Sequence, residues 1–207
     1  MNEIIRYCQR MDQKGWVANH DGNISVRLAN GRFRTTPTAR AKADLLEEDL
    51  IEVDAQGKRV SGTGGPASEM AVHHRIYEAR PDTMAVVHAH PPSAMAVGCA
   101  NQEMVTFAVP EAVVSLGPGV PLAGLALPNS DALWAELDPL LAHYDAVMVG
   151  GNGVFAWGKS LEQAFLRLEL VEHLAKIFLA SLPLGGPRQL DPEQVGALLK
   201  KRAAAGF

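Results

Sequence analysis

Cysteine is scarce in this 207-residue chain: Cys8 and Cys99 are the only two, far apart and outside any CxxC spacing. Their scarcity excludes a disulfide scaffold and a cysteine-built zinc site, and suggests reduced thiols in a reducing compartment, the cytoplasm. Long apolar runs are missing as well, so no segment reads as a membrane span. The opening MNEIIRYCQRMDQKG places Ile4, Ile5, Cys8 and Met11 on one helical face and is no signal peptide. Basic blocks are also missing. Nineteen Lys and Arg stand against 23 Asp and Glu, for a net charge of −4, which excludes nucleic acid and anionic membrane as partners. There are no internal repeats and no low-complexity tracts.

What remains is the composition of an ordinary globular protein, 47% hydrophobic and 20% charged, long enough to bury one core. The first helix stops at Gly15, a helix-ending glycine. GNISVRL alternates Ile24, Val26 and Leu28, and Asn30-Gly31 turns it back into RFRTT as a hairpin. DLIEV and KRVSG form a second hairpin around Asp54–Gly57. A helix is predicted from about Ser68 to Ala79, ended by Arg80-Pro81. The strand TMAVVHAH stops at Pro91-Pro92, and a helix follows near Pro92–Gly98. After the short apolar runs VTFAV and VPLAG, DALWAELDPLLAHY is helical, and DAVMVGG and VFAW are strands around Gly151-Asn152-Gly153. Ser160 and Gln163 form a capping box opening a long helix whose apolar face carries Ala164, Phe165, Leu168, Val171, Ala175 and Phe178. The linker LPLGGPRQL leads to a last short helix begun by Asp191-Pro192. Adjacent hairpins in place of regular βαβ units imply a largely antiparallel sheet covered by helices.

The chemistry concentrates between Pro66 and Pro92, in PASEMAVHHRIYEARPDTMAVVHAHPP. Side chains alternate along a strand, so His88 and His90 project from one face and can share a divalent metal. Glu69, opening the preceding helix, is the carboxylate that could join them; on its own it would equally serve the helix dipole. Glu69 with His73, one turn apart, is a rival pair, but His73 and His74 read better as residues of a solvent-facing or interface side. His20, His143 and His173 read as non-functional. The turn Ser61–Pro66 runs into a helix N-terminus, where exposed N–H groups favour an anion. Asn23 and Thr38 are single polar residues.

Together, GNISVR, TPT, the Gly-rich turn into PASE, VVHAH and GVFAWGKSLEQAF resemble the class II aldolase/adducin superfamily over residues 1–182. The remaining segment, 183–207, is a linker and short helix. The resemblance implies a three-layer α/β/α sandwich around a mainly antiparallel sheet, assembled as a homotetramer with active sites at subunit interfaces. It implies a divalent ion, zinc foremost, on His88 and His90. It makes Glu69 both a metal contact and the catalytic acid/base, and gives Asn23, Thr38 and Ser68 to substrate binding. The metal would polarise a carbonyl and its neighbouring hydroxyl and stabilise an enediolate.

Four positions depart from the pattern. Asn152 stands where the family has its third metal histidine, and its amide oxygen suits Mn²⁺ or Mg²⁺ better than zinc. Ala67 and Ala39 replace a serine and a glycine of the phosphate pocket. FAVPEAVVS lacks the family's proton-donating tyrosine. The function implied is a metal-dependent lyase of aldolase or decarboxylase type, acting on a small hydroxy or keto compound or a sugar phosphate. A sugar-phosphate epimerase and a non-catalytic module like the adducin head are the alternatives.

Overall fold

The computed structural model describes residues 2–206. Eight strands form one sheet: β1 (Asn23–Arg27), β2 (Phe33–Thr35), β3 (Ile51–Val53), β4 (Arg59–Ser61), β5 (Ala85–Ala89), β6 (Leu122–Ala123), β7 (Ala146–Val149) and β8 (Gly153–Gly158). Their order is β4-β3-β2-β1-β5-β8-β7-β6, and every pairing is antiparallel except β6 with β7. Seven helices accompany it: α1 (Glu3–Gln13), α2 (Met70–Ala79), α3 (Pro92–Cys99), α4 (Pro110–Leu116), α5 (Asp131–Leu141), α6 (Leu161–Ser181) and α7 (Pro192–Ala205). The expected α/β/α sandwich with a mainly antiparallel sheet is therefore the fold of this chain.

Strand alternation sorts the core into two apolar layers. Ile24, Ala85, Val87, Ala89, Val154 and Ala156 face a layer shared with α1, α3, α4 and α6. Val86, Val147, Phe155 and Trp157 face the other, against α2 and α5. The polar residues of this second face are the informative ones. Asn23 and Ser25 on β1 and His88 on β5 are all buried, on the side where α2 lies. Asn23 pairs with His88 across β1 and β5, and His88 pairs with Phe155 across β5 and β8, so the three form a row across the sheet.

Two expectations need correction, and one helix was not expected. His73 is not solvent-facing: it is fully buried, its Nδ1 2.7 Å from Ser25 Oγ, which in turn lies 2.9 Å from Tyr77 Oη. A polar β1 face turned the histidine inward, where an apolar sheet would have excluded it. Residues 105–109, read only as a short apolar run, are irregular and lead into α4, a helix the sequence reading missed. The last helix is not short, spanning 14 residues. With none of its side chains fully buried, it is held by polar contacts: Arg202 bonds Val114 O at 2.8 Å and reaches the buried Asp145, as do Arg80 and Arg167.

The burial of His73 has a pH consequence. Desolvation, helped by neighbouring His74, drops its pKa from 6.5 to about 3. Between these values the unfolded chain carries a proton that the folded one refuses, so stability falls as pH falls through this window. One such group contributes about 1.4 kcal/mol per pH unit. Urea unfolding from pH 7 to pH 4 is expected to show this slope in the wild type and a shallower one, by about that amount, in His73→Asn. Parallel slopes would mean that His73 titrates normally in the folded chain.

Candidate metal and substrate site

The strand β5 carries His88 and His90 to its end, and the strands on either side of it, β1 and β8, meet that end at a glycine. At Gly22 (φ +72°) a Cβ would lie 2.7 Å from Val17 Cγ1 and 2.9 Å from His88 O. At Gly153 (φ +80°) it would lie 2.7 Å from His90 Cδ2. Only glycine lets the β1 and β8 chain ends close this tightly around the histidine pair.

The two imidazoles approach each other through their Nε2 atoms, 3.2 Å apart. His88 Nδ1 donates to Val154 O at 3.1 Å, which leaves its Nε2 as a bare lone pair. His90 Nδ1 lies 3.5 Å from Asp21 Oδ2, an ionic contact and not a hydrogen bond. Without an ion the two Nε2 atoms share a hydrogen bond in which His90 donates to the His88 lone pair; an ion between them would take its place and draw on both nitrogens. Nitrogens about 2.0–2.1 Å from a tetrahedral ion lie about 3.3 Å from each other, so the donor pair fits a divalent metal. A carbonyl and a carboxylate behind the two rings are the outer partners that metal-bound histidines usually have. Burial, and then the neighbouring His90, hold the His88 pKa well below its usual value, so this ring stays neutral and able to ligate. Phe155 stacks on it at 3.9 Å.

Glu69 occupies the N-cap position of α2 without a capping bond from its side chain, one residue before the helical turn where it was expected. Its Oε2 accepts from Asn23 Nδ2 at 3.1 Å, while Asn23 Oδ1, buried, has no partner among the described residues. In this conformation Glu69 stands off from the histidines; the described residues contain no cluster of three His, Cys, Asp or Glu converging on one ion. A cavity of about 270 Å³ opens between them, lined by Asn23, Thr38, Ser68, Glu69 and His90 together with His20, Asp21 and Ala39. The structure thus brings five of the six residues singled out above onto one cavity, with His88 bonded to His90 behind its wall. Asn152 lies in the turn between β7 and β8, next to the glycine that abuts His90.

Three residues of this region escaped sequence reasoning. His20, read as non-functional, and Asp21 line the cavity. Lys42 is 2% exposed and sits behind it. No motif marks them; only the fold brings the loop before β1 against the end of β5.

An α/β/α fold with His90, a carboxylate and hydroxyl and amide donors on one cavity, and His88 beside it, is the arrangement expected of a class II aldolase-type enzyme. The model for the class II aldolase and adducin N-terminal domain matches residues 2–179. The chain is similar to methylthioribulose-1-phosphate dehydratase from Gluconacetobacter diazotrophicus, with 32% identity over 84% of this chain and 89% of that one. It is 30% identical to L-fuculose phosphate aldolase from Escherichia coli over 99% of this chain and 94% of that one. Among solved structures, YgbL from Escherichia coli, described as a putative aldolase/epimerase/decarboxylase, superposes with a TM-score of 0.86 at 26% identity, covering 95% of this chain and 96% of that one. This protein belongs to the class II aldolase and adducin family and is an enzyme of it.

Proposed function

We propose that the chain binds a divalent ion on His88 and His90 and uses Glu69 to move a proton at the carbon beside a substrate carbonyl. The observation that carries this reading is the convergence of His90, Glu69, Asn23, Thr38 and Ser68 on one cavity, reached from β5, α2, β1 and the loops beside them. When bound, the ion supplies Lewis-acid stabilisation of the negative charge that develops on the substrate oxygens. Imidazole donors favour zinc, while the Asn152 oxygen would favour Mn²⁺ or Mg²⁺ if it completes the site.

Asn23 holds the Glu69 carboxylate, and its free Oδ1 offers an acceptor to a substrate hydroxyl. Thr38 and Ser68 line the same cavity and suit the substrate's polar end. C–C cleavage, decarboxylation and loss of water all begin from the same stabilised charge, and the two relatives named above, an aldolase and a dehydratase, support lyase chemistry over epimerisation. Both act on phosphorylated sugars, which supports such a substrate here. Ala39, held at φ +56°, and Ala67 mark where the cradle departs from the family pattern. Assembly as a homotetramer with sites at subunit boundaries completes the proposal.

The test is a panel of ketose phosphates, hydroxy acids and keto acids, offered to metal-stripped and metal-reloaded protein. Cleavage or dehydration of at least one member is expected only after reloading, with zinc compared against Mn²⁺ and Mg²⁺. Turnover that survives stripping and chelation would defeat the metal reading.

A further inference from the structure

Lys42 is an unusual residue to find inside a protein. It is 2% exposed, in a short turn (Lys42–Asp44) after the loop that carries Thr38 and Ala39. Its Nζ donates to His20 O at 3.0 Å and to Arg40 O at 2.8 Å. These carbonyls belong to the two loops that form adjacent cavity walls, one bearing His20 and Asp21, the other Thr38 and Ala39. A buried ammonium needs such partners, because leaving it unpaired costs several kcal/mol. The charges near it are the Asp21 and Glu69 carboxylates, which offset the cost further.

The loop that Lys42 grips meets His90 twice: Trp16 O accepts from its backbone N–H at 2.9 Å, and Asp21 is the side chain that faces its ring, Oδ2 lying 3.5 Å from Nδ1. A carboxylate on that side of the ring favours the proton on Nδ1 and so frees Nε2 for an ion. Asp21 is on a half-exposed loop, and without an anchor its side chain would be free to leave the ring. Arg40 could not replace the anchor, since its guanidinium is engaged with Asp49 at 2.8 Å.

We propose that Lys42 is a positioning residue for the metal site: its ammonium ties the His20–Asp21 segment to the Thr38–Arg40 segment, so that Asp21 orients His90. This rests on the reading of His88 and His90 as metal donors. It adds two residues, Lys42 and Asp21, that neither touch the reacting atoms nor belong to the motif.

The experiment compares wild type, Lys42→Met, Asp21→Asn and the double variant in zinc affinity by competition titration. Histidine-selective ¹⁵N spectra of the zinc-loaded chains, with His90→Gln to assign the signal, accompany it. Each single substitution is expected to weaken zinc binding about tenfold or more, and the double variant no further than the weaker single one. In the zinc-loaded wild type, His90 should carry its proton on Nδ1, and both single variants should show a shifted or exchange-broadened Nδ1–H signal. A Lys42→Met chain that unfolds more readily but keeps wild-type zinc affinity and a wild-type His90 signal would reduce Lys42 to a structural role and overturn the proposal. Should Lys42→Met fail to fold, Asp21→Asn, at a half-exposed position, decides the Asp21–His90 link, and its keeping both readouts at wild-type values overturns it. If wild type binds no zinc, the metal reading itself falls; if it binds zinc and both single variants match it, the positioning role alone falls.

Discussion

His88→Ala is expected to give a folded chain that no longer retains divalent metal through dialysis and has lost at least about a thousandfold in turnover. The imidazole it removes is half of a pair whose Nε2 atoms face each other, 3.2 Å apart. One half-buried histidine at a strand end does not hold an ion against competing buffer, so stoichiometry should fall from about one per chain to near zero. The loss of rate follows because Lewis-acid stabilisation is worth several kcal/mol, and about 1.4 kcal/mol is a factor of ten. Folding should survive. The lost contacts are one bond to Val154 O and the stack on Phe155, in a sheet whose neighbouring pairings remain. Elemental analysis and circular dichroism check both halves. A folded variant that keeps its metal would show that the ion sits elsewhere, and His90→Ala serves if His88→Ala does not fold.

Much of this fold was legible because its elements announce themselves locally. Alternation in GNISVRL and TMAVVHAH, Asn30-Gly31 between β1 and β2, and the Ser160–Gln163 cap of α6 each depend on residues a few positions apart. The same holds for His88 and His90, whose shared face follows from strand geometry alone. What failed depended on distant surroundings. His73 looked like a surface residue because a helical wheel cannot show that β1 offers it a serine. The apolar run VTFAV was left without an assignment, and it proves to be an irregular segment, with Met104 and Thr106 buried, that leads into the missed helix α4. Apolar runs of this length carry no mark that separates strand from packed loop.

The candidate site divides along the same line. His88 and His90 came from strand spacing, while the roles of Glu69, Asn23, Thr38 and Ser68 came from the family resemblance; five of the six line one cavity. Asp21, His20 and Lys42 lie in stretches without any motif. Their relevance comes from the closing of the loop before β1 over the end of β5, which Gly22 permits. A sequence with the motif intact therefore says which donors exist, while the fold says what holds them in place.

Glu69→Gln should separate chemistry from construction at this site. The substitution keeps the size of the side chain and an oxygen that can still accept from Asn23 Nδ2, now 3.1 Å from Glu69 Oε2. It removes the capacity to take up a proton. The geometry of the cavity and the histidine pair should therefore remain, with metal content near that of wild type. Turnover should fall by about 10² to 10⁴, the usual worth of a positioned general base. The Michaelis constant should change little, because Asn23, Thr38 and Ser68 still hold the substrate. Exchange of the substrate's carbon-bound proton with heavy water, followed by NMR, should disappear with it. Asn23→Ala would behave differently, raising the Michaelis constant as well, since it removes a substrate contact along with the support of the carboxylate. A Glu69→Gln enzyme within a few-fold of wild type would assign the proton transfer to another group, and His20 on the facing wall would be the next residue to replace.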